Sequence, residues 1–252
     1  MTAPLALLFA AGAGFVGGAM NALAGGGTFA TLPSLLAIGL PANIANATSN
    51  VALLPGAATS AWAFRDELGP VGGVDYRLLA GVTFVGGLAG SVLLVLTASR
   101  AFDLIIPWLV LYAFVVLALG KRAAAWLQRR VTIGRNALLS VQMLLGIYGG
   151  YFGGGVGLMT TATYGLLAGH SPRELFAPRT LMLAIANLAA AIVFVSAGMV
   201  RWWACLPMLA GAILGGWAGA HVGKKLPASA VRVWTLLVTG VTAAVFFWRA
   251  YS

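Results

Sequence analysis

Two glycine triplets, at 25–27 and 153–155, are the residues whose type and spacing best fit a binding site. They lie 128 residues apart, and the first 64 residues contain no charged side chain. Glycine interrupts helices because it costs about 1 kcal/mol relative to alanine in a helix interior. Backbone N–H groups at the start of the next helix lack an intrahelical partner and lie at the positive end of its dipole. The triplets therefore predict an anion site that needs no fixed charge.

Neutral polar side chains and one cation accompany the triplets. The predicted substrate-binding residues are Gly25, Gly26, Gly27, Thr28, Asn50, Tyr151, Gly153, Gly154, Gly155, Arg179 and Asn187. Arg179 lies about one and a half turns into its helix, which leaves two alternatives open: it snorkels to the headgroups or faces the pathway. For Asn43, Asn46 and Thr59, hydrogen bonds to their own helix or to a neighbouring helix are the favoured interpretation.

The acidic, histidine and cysteine residues argue against enzymatic chemistry. All five acids fall in or near predicted loops, namely Asp66, Glu67, Asp75, Asp103 and Glu174. No carboxylate is therefore expected in mid-membrane for a cation site or a proton relay. His170 and His221 have no carboxylate or cysteine at ligand spacing, and Cys205 is a lone cysteine with a predicted packing role. We predict no catalytic residue, no metal, no cofactor and no enzyme activity.

Composition places the chain in a lipid bilayer. Hydrophobic residues make up 61% of the chain and charged residues 8%, and the mean hydropathy is +0.96. These values are typical of a polytopic membrane protein. The net charge of +10 comes from basic residues in loops and at helix ends. That distribution follows the positive-inside rule, so nucleic acid is not predicted as a partner.

The elements that must position the triplets are helices. Apolar windows and their punctuation predict an all-α membrane protein with helical segments at 4–23, 28–38, 43–64, 75–97, 101–119, 135–151, 156–168, 174–198, 201–222 and 228–249. Each triplet precedes a segment of 11 to 13 residues, too short to cross a hydrocarbon core of about 30 Å. Whether these short segments cross or are re-entrant stays open. Either way, short or broken helices are expected at the Gly-rich motifs.

The second half of the chain repeats the first. Besides the triplets, Gly-Gly-Leu-Ala-Gly at 86–90 matches Gly-Gly-Trp-Ala-Gly at 215–219. Such glycine pairs also suit close helix packing. Each repeat of five segments contributes an odd number of crossings, so we predict two inverted repeats, at 1–119 and 135–252, with the triplets meeting near mid-depth.

A basic linker, at 120–134, joins the two predicted repeats. It and the adjoining Arg135 contain Lys121, Arg122, Arg129, Arg130 and Arg135 without an acid. The positive-inside rule predicts that the linker is cytoplasmic. Alternation of the segments then places both termini outside.

Three segments resemble the signatures of one known family. They are Asn-Ala-Leu-Ala-Gly-Gly-Gly-Thr-Phe at 21–29, Ala-Asn-Ala-Thr-Ser-Asn at 45–50 and Gly-Gly-Tyr-Phe-Gly-Gly-Gly-Val-Gly at 149–157. With these motifs the chain resembles the sulfite exporter TauE/SafE family over nearly its whole length. The resemblance implies a multi-pass permease of the bacterial inner membrane for a small sulfur-containing anion, such as sulfite or an organosulfonate. The position of Cys205 outside both Gly-rich motifs argues against thiosulfate-type relatives.

The leading functional hypothesis is export of a small sulfur oxyanion. The alternative is a non-transporting membrane scaffold or assembly factor. Without a buried carboxylate, we expect either facilitated diffusion of the anion or carriage of a proton by the substrate itself, as hydrogen sulfite. The sequence leaves a homodimer open.

Overall fold

The computed structural model describes residues 3–127, 134–168, 174–223 and 228–251, and helices dominate all four ranges. The ten α-helices are α1 (Ala3–Ala24), α2 (Thr28–Ala37), α3 (Ala42–Ala63), α4 (Tyr76–Leu96), α5 (Ser99–Leu127), α6 (Arg135–Tyr151), α7 (Val156–Ala168), α8 (Phe176–Ser196), α9 (Trp202–Gly223) and α10 (Ala228–Tyr251). The all-α prediction is confirmed.

One predicted helix end was wrong. The apolar window predicts that the fifth segment ends at residue 119, but α5 continues to Leu127. The residues after 119 include Ala123–Ala125 and few helix breakers, so they extend the helix although they are too polar for lipid. The first part of the predicted linker is therefore helical. Residues 128–133 lie outside the described residues.

Six described helices are long and apolar enough to cross a bilayer. They are Pro4–Ala24, Tyr76–Leu96, Ser99–Leu119, Phe176–Ser196, Trp202–Gly219 and Ser229–Tyr251. Large apolar side chains such as Leu8, Leu96 and Trp248 are mostly exposed on their outer surfaces. A soluble protein would bury such a surface, so lipid is its natural solvent. The chain is a multi-pass membrane protein.

Glycine contacts join the two predicted repeats through two parallel helix pairs. Gly14 of α1 lies against the backbone of Met208 in α9, and Gly18 lies against that of Ala212. Residue numbers increase in the same direction along both helices, so the two helices are parallel. In the same way, Gly86 and Gly90 of α4 lie against residues 143–151 of α6. Backbones approach this closely only where side chains are absent. The packing role predicted for the glycines at 86–90 and 215–219 agrees with these contacts, and Gly14 and Gly18 add to it. The first helix of each predicted repeat packs on the fourth helix of the other.

The third and fifth helices of the two repeats pair in the opposite sense. The end of α3 meets the start of α8, where the rings of Phe64 and Phe176 are 4.6 Å apart. Likewise, Arg249 near the end of α10 lies 3.8 Å from Asp103 near the start of α5. Helices related by a two-fold axis run antiparallel when that axis is perpendicular to them. Inverted repeats would produce this pairing.

Candidate functional site

The first break lies between α1 and α2 and is closed by Asn21. Gly25 has a φ of 77°, a left-handed conformation that glycine adopts without the steric cost a side chain imposes. The Gly25 amide donates to the backbone oxygen of Asn21 at 2.9 Å, and the Gly27 amide donates to Asn21 Oδ1 at 3.2 Å. One asparagine thus holds both outer glycines of the triplet.

The second break lies between α6 and α7 and is closed by Tyr148. Gly153 and Gly155 have φ values of 75° and 78°. The Tyr148 hydroxyl donates to the backbone oxygen of Gly154 at 2.8 Å. The Gly153 amide donates to the backbone oxygen of Tyr148 at 3.4 Å. Tyr148 therefore lies beside the second break.

The two breaks meet. A Cβ atom added to Gly25 would lie 2.8 Å from the Cα atom of Gly157, and one added to Gly155 would lie 2.9 Å from the ring of Phe29. A Cβ atom added to Gly153 would lie 2.9 Å from Asn50 Nδ2 and 3.8 Å from Thr28 Oγ1. The start of each short helix is therefore packed against the opposite Gly-rich motif.

Only some of the predicted amide donors are free for a ligand. The amides of Gly25, Gly27 and Gly153 already donate to protein oxygens. Within the described residues, those of Gly26, Gly154 and Gly155 have no protein acceptor. Of the six triplet amides predicted to bind a ligand, only these three could therefore donate to one without first giving up a bond within the protein.

Asn50 and Asn187 form the centre of the arrangement. Each follows a proline by nine residues, after Pro41 and Pro178, so they occupy equivalent places in the two repeats. Asn50 Nδ2 donates to Asn187 Oδ1 at 3.4 Å, and each side chain is only 3% exposed. They lie near the middle of α3 and α8. The structure thus brings four of the predicted site residues together, namely Asn50, Asn187, Gly153 and Thr28.

Tyr151 lies at the site through its backbone. Its carbonyl accepts from Asn46 Nδ2 at 3.0 Å, whereas its hydroxyl lies 3.4 Å from Thr97 Oγ1 and its ring packs edge-on against Phe102. The side chain therefore points towards the α4–α5 turn. Sequence could not show this, because helical spacing fixes where a residue lies but not which way its side chain turns.

Arg179 is buried beside the first break. Only 8% of it is exposed, its Nη2 donates to the Leu23 oxygen at 3.3 Å, and its guanidinium lies 4.4 Å from the centre of the Phe176 ring. Neither alternative from the sequence describes this position fully: Arg179 does not snorkel but caps the end of α1. Among the described residues no carboxylate pairs with it.

Sequence reasoning missed a second buried polar cluster. Gln142 Nε2 donates to Thr83 Oγ1 at 2.6 Å, and the Tyr164 hydroxyl donates to Gln142 Oε1 at 2.7 Å. These hydrogen bonds link α4, α6 and α7. Because the Gln142 side chain both donates and accepts within the cluster, the cluster suits a structural role. The signal was a single glutamine within the apolar sequence of α6.

A narrow crevice beside Asn21, near the first break, has room for about one water molecule. Its walls are mostly small or polar residues of α1, α3, α8 and α9, including Asn21, Gly56, Ser60 and Thr180. These positions lie in the half of the molecule where α3 ends and α8 begins. We call this half the linker side, because the parallel helices α4 and α6 also begin there.

Comparisons with known proteins agree with the motifs. The model of the family described as sulfite exporter TauE/SafE matches residues 10–246. A probable membrane transporter protein of Haemophilus influenzae is 30% identical over 244 residues, covering 93% of this chain and 92% of the relative. The probable membrane transporter protein YfcA of Escherichia coli K12 is 28% identical, covering 100% of this chain and 93% of the relative.

A more distant relative, the probable membrane transporter protein ORF9 of a Sinorhizobium species, is 26% identical, covering 93% of this chain and 89% of the relative. No solved structure gives a significant match. The relatives are named as transporters rather than enzymes, and they come from bacteria, consistent with an inner-membrane location. Taken with the paired Gly-rich breaks, these matches show that the chain belongs to the sulfite exporter TauE/SafE family of membrane transport proteins.

Proposed function

We propose that this transporter exports a small sulfur-containing oxyanion, sulfite or an organosulfonate, through the site where the two breaks meet. The observation that carries the proposal is the group of amides, those of Gly26, Gly154 and Gly155, that have no acceptor among the described residues where the two breaks meet, with the buried cation Arg179 beside the first break. Arg179 has no carboxylate partner among the described residues and is 8% exposed. A buried unpaired cation is costly, and an anionic ligand would offset that cost.

Weak, multiple donors suit transport better than one strong ion pair. The free amides of Gly26, Gly154 and Gly155 and the hydroxyl of Thr28 would replace part of an oxyanion's hydration shell. Neutral donors release a ligand more readily than a buried ion pair, and a transporter must release as well as bind. Arg179 would raise the local anion concentration from the linker side.

The position of Arg179 bears on the direction of transport. Arg179 lies near the start of α8, in the linker-side half, and donates to the Leu23 oxygen at the first break. If that side is cytoplasmic, as the basic linker predicts, the cation would attract the anion from the cytoplasm. Export is the direction that this placement favours.

A membrane potential provides a test of what moves. An inside-negative potential favours outward movement of an anion by roughly 2.3 kcal/mol per charge per 100 mV. We expect an imposed inside-negative potential to accelerate efflux from proteoliposomes loaded with sulfite. Indifference to potential would instead indicate a neutral or proton-compensated cycle.

The decisive experiment is a flux panel. Liposomes containing the purified protein are loaded with sulfite, sulfate or organosulfonates. Efflux is compared with that from protein-free liposomes and from liposomes containing the Gly26→Val variant. We expect saturable flux of sulfite or an organosulfonate in the wild type alone. No saturable flux from well-folded protein would contradict the proposal and favour a scaffold or assembly factor.

A further inference from the structure

A buried acceptor at the site has no donor. Asn46 is 0% exposed and its Nδ2 donates to the Tyr151 backbone oxygen. Because a carbonyl can only accept, this bond fixes which end of the amide is nitrogen. Asn46 Oδ1 is therefore an acceptor, and it has no hydrogen-bond partner in the part of the chain that the structure describes.

A second acceptor lies one helical turn further on the same face of α3. Asn50 donates through Nδ2 to Asn187, and Asn50 Oδ1 is also buried without a partner. Positions four residues apart lie on the same face of a helix, so the two asparagines are neighbours on one face of α3. Asn50 Nδ2 also lies against Gly153. The acceptors are thus part of the site that the breaks form.

Neighbouring asparagines do not share this deficit. Asn43, on the same helix, donates to the Thr97 oxygen and accepts from the Ile44 amide. Asn21 accepts from the Gly27 amide. Buried polar atoms are normally paired, and two orphan acceptors at a binding site call for a ligand that brings the missing hydrogen.

We infer that the substrate carries a hydrogen-bond donor as well as its anionic oxygens, and that Asn50 Oδ1, or Asn46 Oδ1 one turn away, accepts from it. This rests on the proposed function. Hydrogen sulfite and hydroxyalkyl sulfonates bring one hydroxyl hydrogen, which serves one of the two oxygens at a time, whereas the ammonium group of an aminoalkyl sulfonate can serve both. Sulfate, the sulfite dianion and simple alkyl sulfonates carry acceptors only. A site with a buried polar group discriminates strongly against an analogue that leaves the group unpaired.

Two sulfonates of equal charge and nearly equal size provide the test. Ethanesulfonate and hydroxyethanesulfonate differ by one hydroxyl, and their apparent affinities are measured from flux in proteoliposomes. We expect wild-type protein to prefer hydroxyethanesulfonate by about tenfold or more. Asn50→Leu should reduce the preference to less than about threefold, while the matched control Asn43→Leu should keep it. Asn50→Ala serves as the second variant if Asn50→Leu does not fold.

The outcomes separate this inference from the proposed function. Saturable flux of both sulfonates with equal affinity in the wild type would overturn the donor requirement and leave sulfonate transport standing; it is also the result expected if water alone serves the two oxygens. A preference that survives in the Asn50 variants would overturn the role of Asn50. Absence of saturable flux for any sulfur anion, sulfite included, would overturn the proposed function and this inference with it.

Discussion

Leu23 and Tyr151 occupy equivalent places, each two residues before the first glycine of a triplet. Both carbonyls accept a hydrogen bond from the third helix of the opposite repeat: Leu23 from Arg179 at 3.3 Å and Tyr151 from Asn46 at 3.0 Å. One half of the site therefore holds a cation where the other holds a neutral amide. If the two predicted repeats form the pathway, its two halves would thus be electrically unequal.

The first residue-scale prediction concerns this cation. Arg179→Gln should weaken the apparent affinity for the transported anion by roughly tenfold, or about 1.4 kcal/mol, because the cation no longer attracts the anion to the site. Arg179→Lys should lose less, since it keeps the charge without the planar fork. Concentration-dependent flux in liposomes measures both.

An exposed arginine provides the control for Arg179. Arg65→Gln removes a charge from the same side of the molecule, where nearly half of the side chain is exposed, and should change affinity little. An equal loss in both variants would show that net charge, and not the buried position, matters.

The second residue-scale prediction concerns the glycine best suited to substitution. Gly26 has no positive φ, and a Cβ atom there would meet the Phe29 ring at 3.1 Å. Gly26→Val should therefore fold, yet it should reduce flux at least tenfold by covering a free amide. Gly81→Val, with nothing within 4 Å of its added Cβ atom, should transport normally. Normal flux with Gly26→Val would contradict the amide site.

The sequence predicted the residues near the site better than their individual bonds. Repetition identified both triplets, and depth along the helices identified Asn50 and Asn187. The sequence could not show that Asn21 and Tyr148 hydrogen-bond to backbone groups of the triplets, because those bonds depend on the conformation of the turn. Asn46 was interpreted as bonding to a neighbouring helix, which it does; its unpaired oxygen could be seen only once the other helices surrounded it.

At the scale of helices, the lengths follow from local signals. Glycines, prolines and charges end almost every segment, so nine of the ten helices have ends within two residues of those predicted. The exception, α5, has no breaker where its apolar window ends and continues to Leu127. These signals could not predict which helices pack together, because the glycines of α1 and α9 do not specify which helix they will contact.

The prediction at this scale compares two glycines of α1. A Cβ atom on Gly14 would overlap the Met208 carbonyl, whereas one on Gly12 would meet nothing within 4 Å. Gly14→Ala should lower the free energy of unfolding by about 1–3 kcal/mol, as overpacking does. Gly12→Ala should be neutral or slightly stabilising. Thermal unfolding in detergent, followed by tryptophan fluorescence, distinguishes them; equal stability of the two variants would contradict the close α1–α9 contact.

At the scale of the whole molecule, the antiparallel pairing of α3 with α8 and of α5 with α10 supports the proposal of inverted repeats. Asn50 and Asn187 lie close to the axis that would relate them. The two predicted repeats are not separate packing units, because the first helix of each is packed on the fourth helix of the other.

Equivalent turns test the inversion. Ala98 precedes α5 and Ser229 lies at the start of α10, and both are exposed. In a Cys205→Ala background, Ala98→Cys and Ser229→Cys should react with an impermeant thiol reagent from opposite faces of the membrane. Reaction of both from the same face would rule out inverted repeats.

The α1–α9 contact also has a consequence for synthesis. Met208 leaves the ribosome 194 residues after Gly14, a delay of roughly 10–40 s at about 5–20 residues per second. Throughout that interval α1 must wait in the translocon or in lipid with its glycine face uncovered. The helix made first therefore completes its packing among the last, and a chain that stops before α9 leaves α1 without its partner for a membrane quality-control protease to recognise.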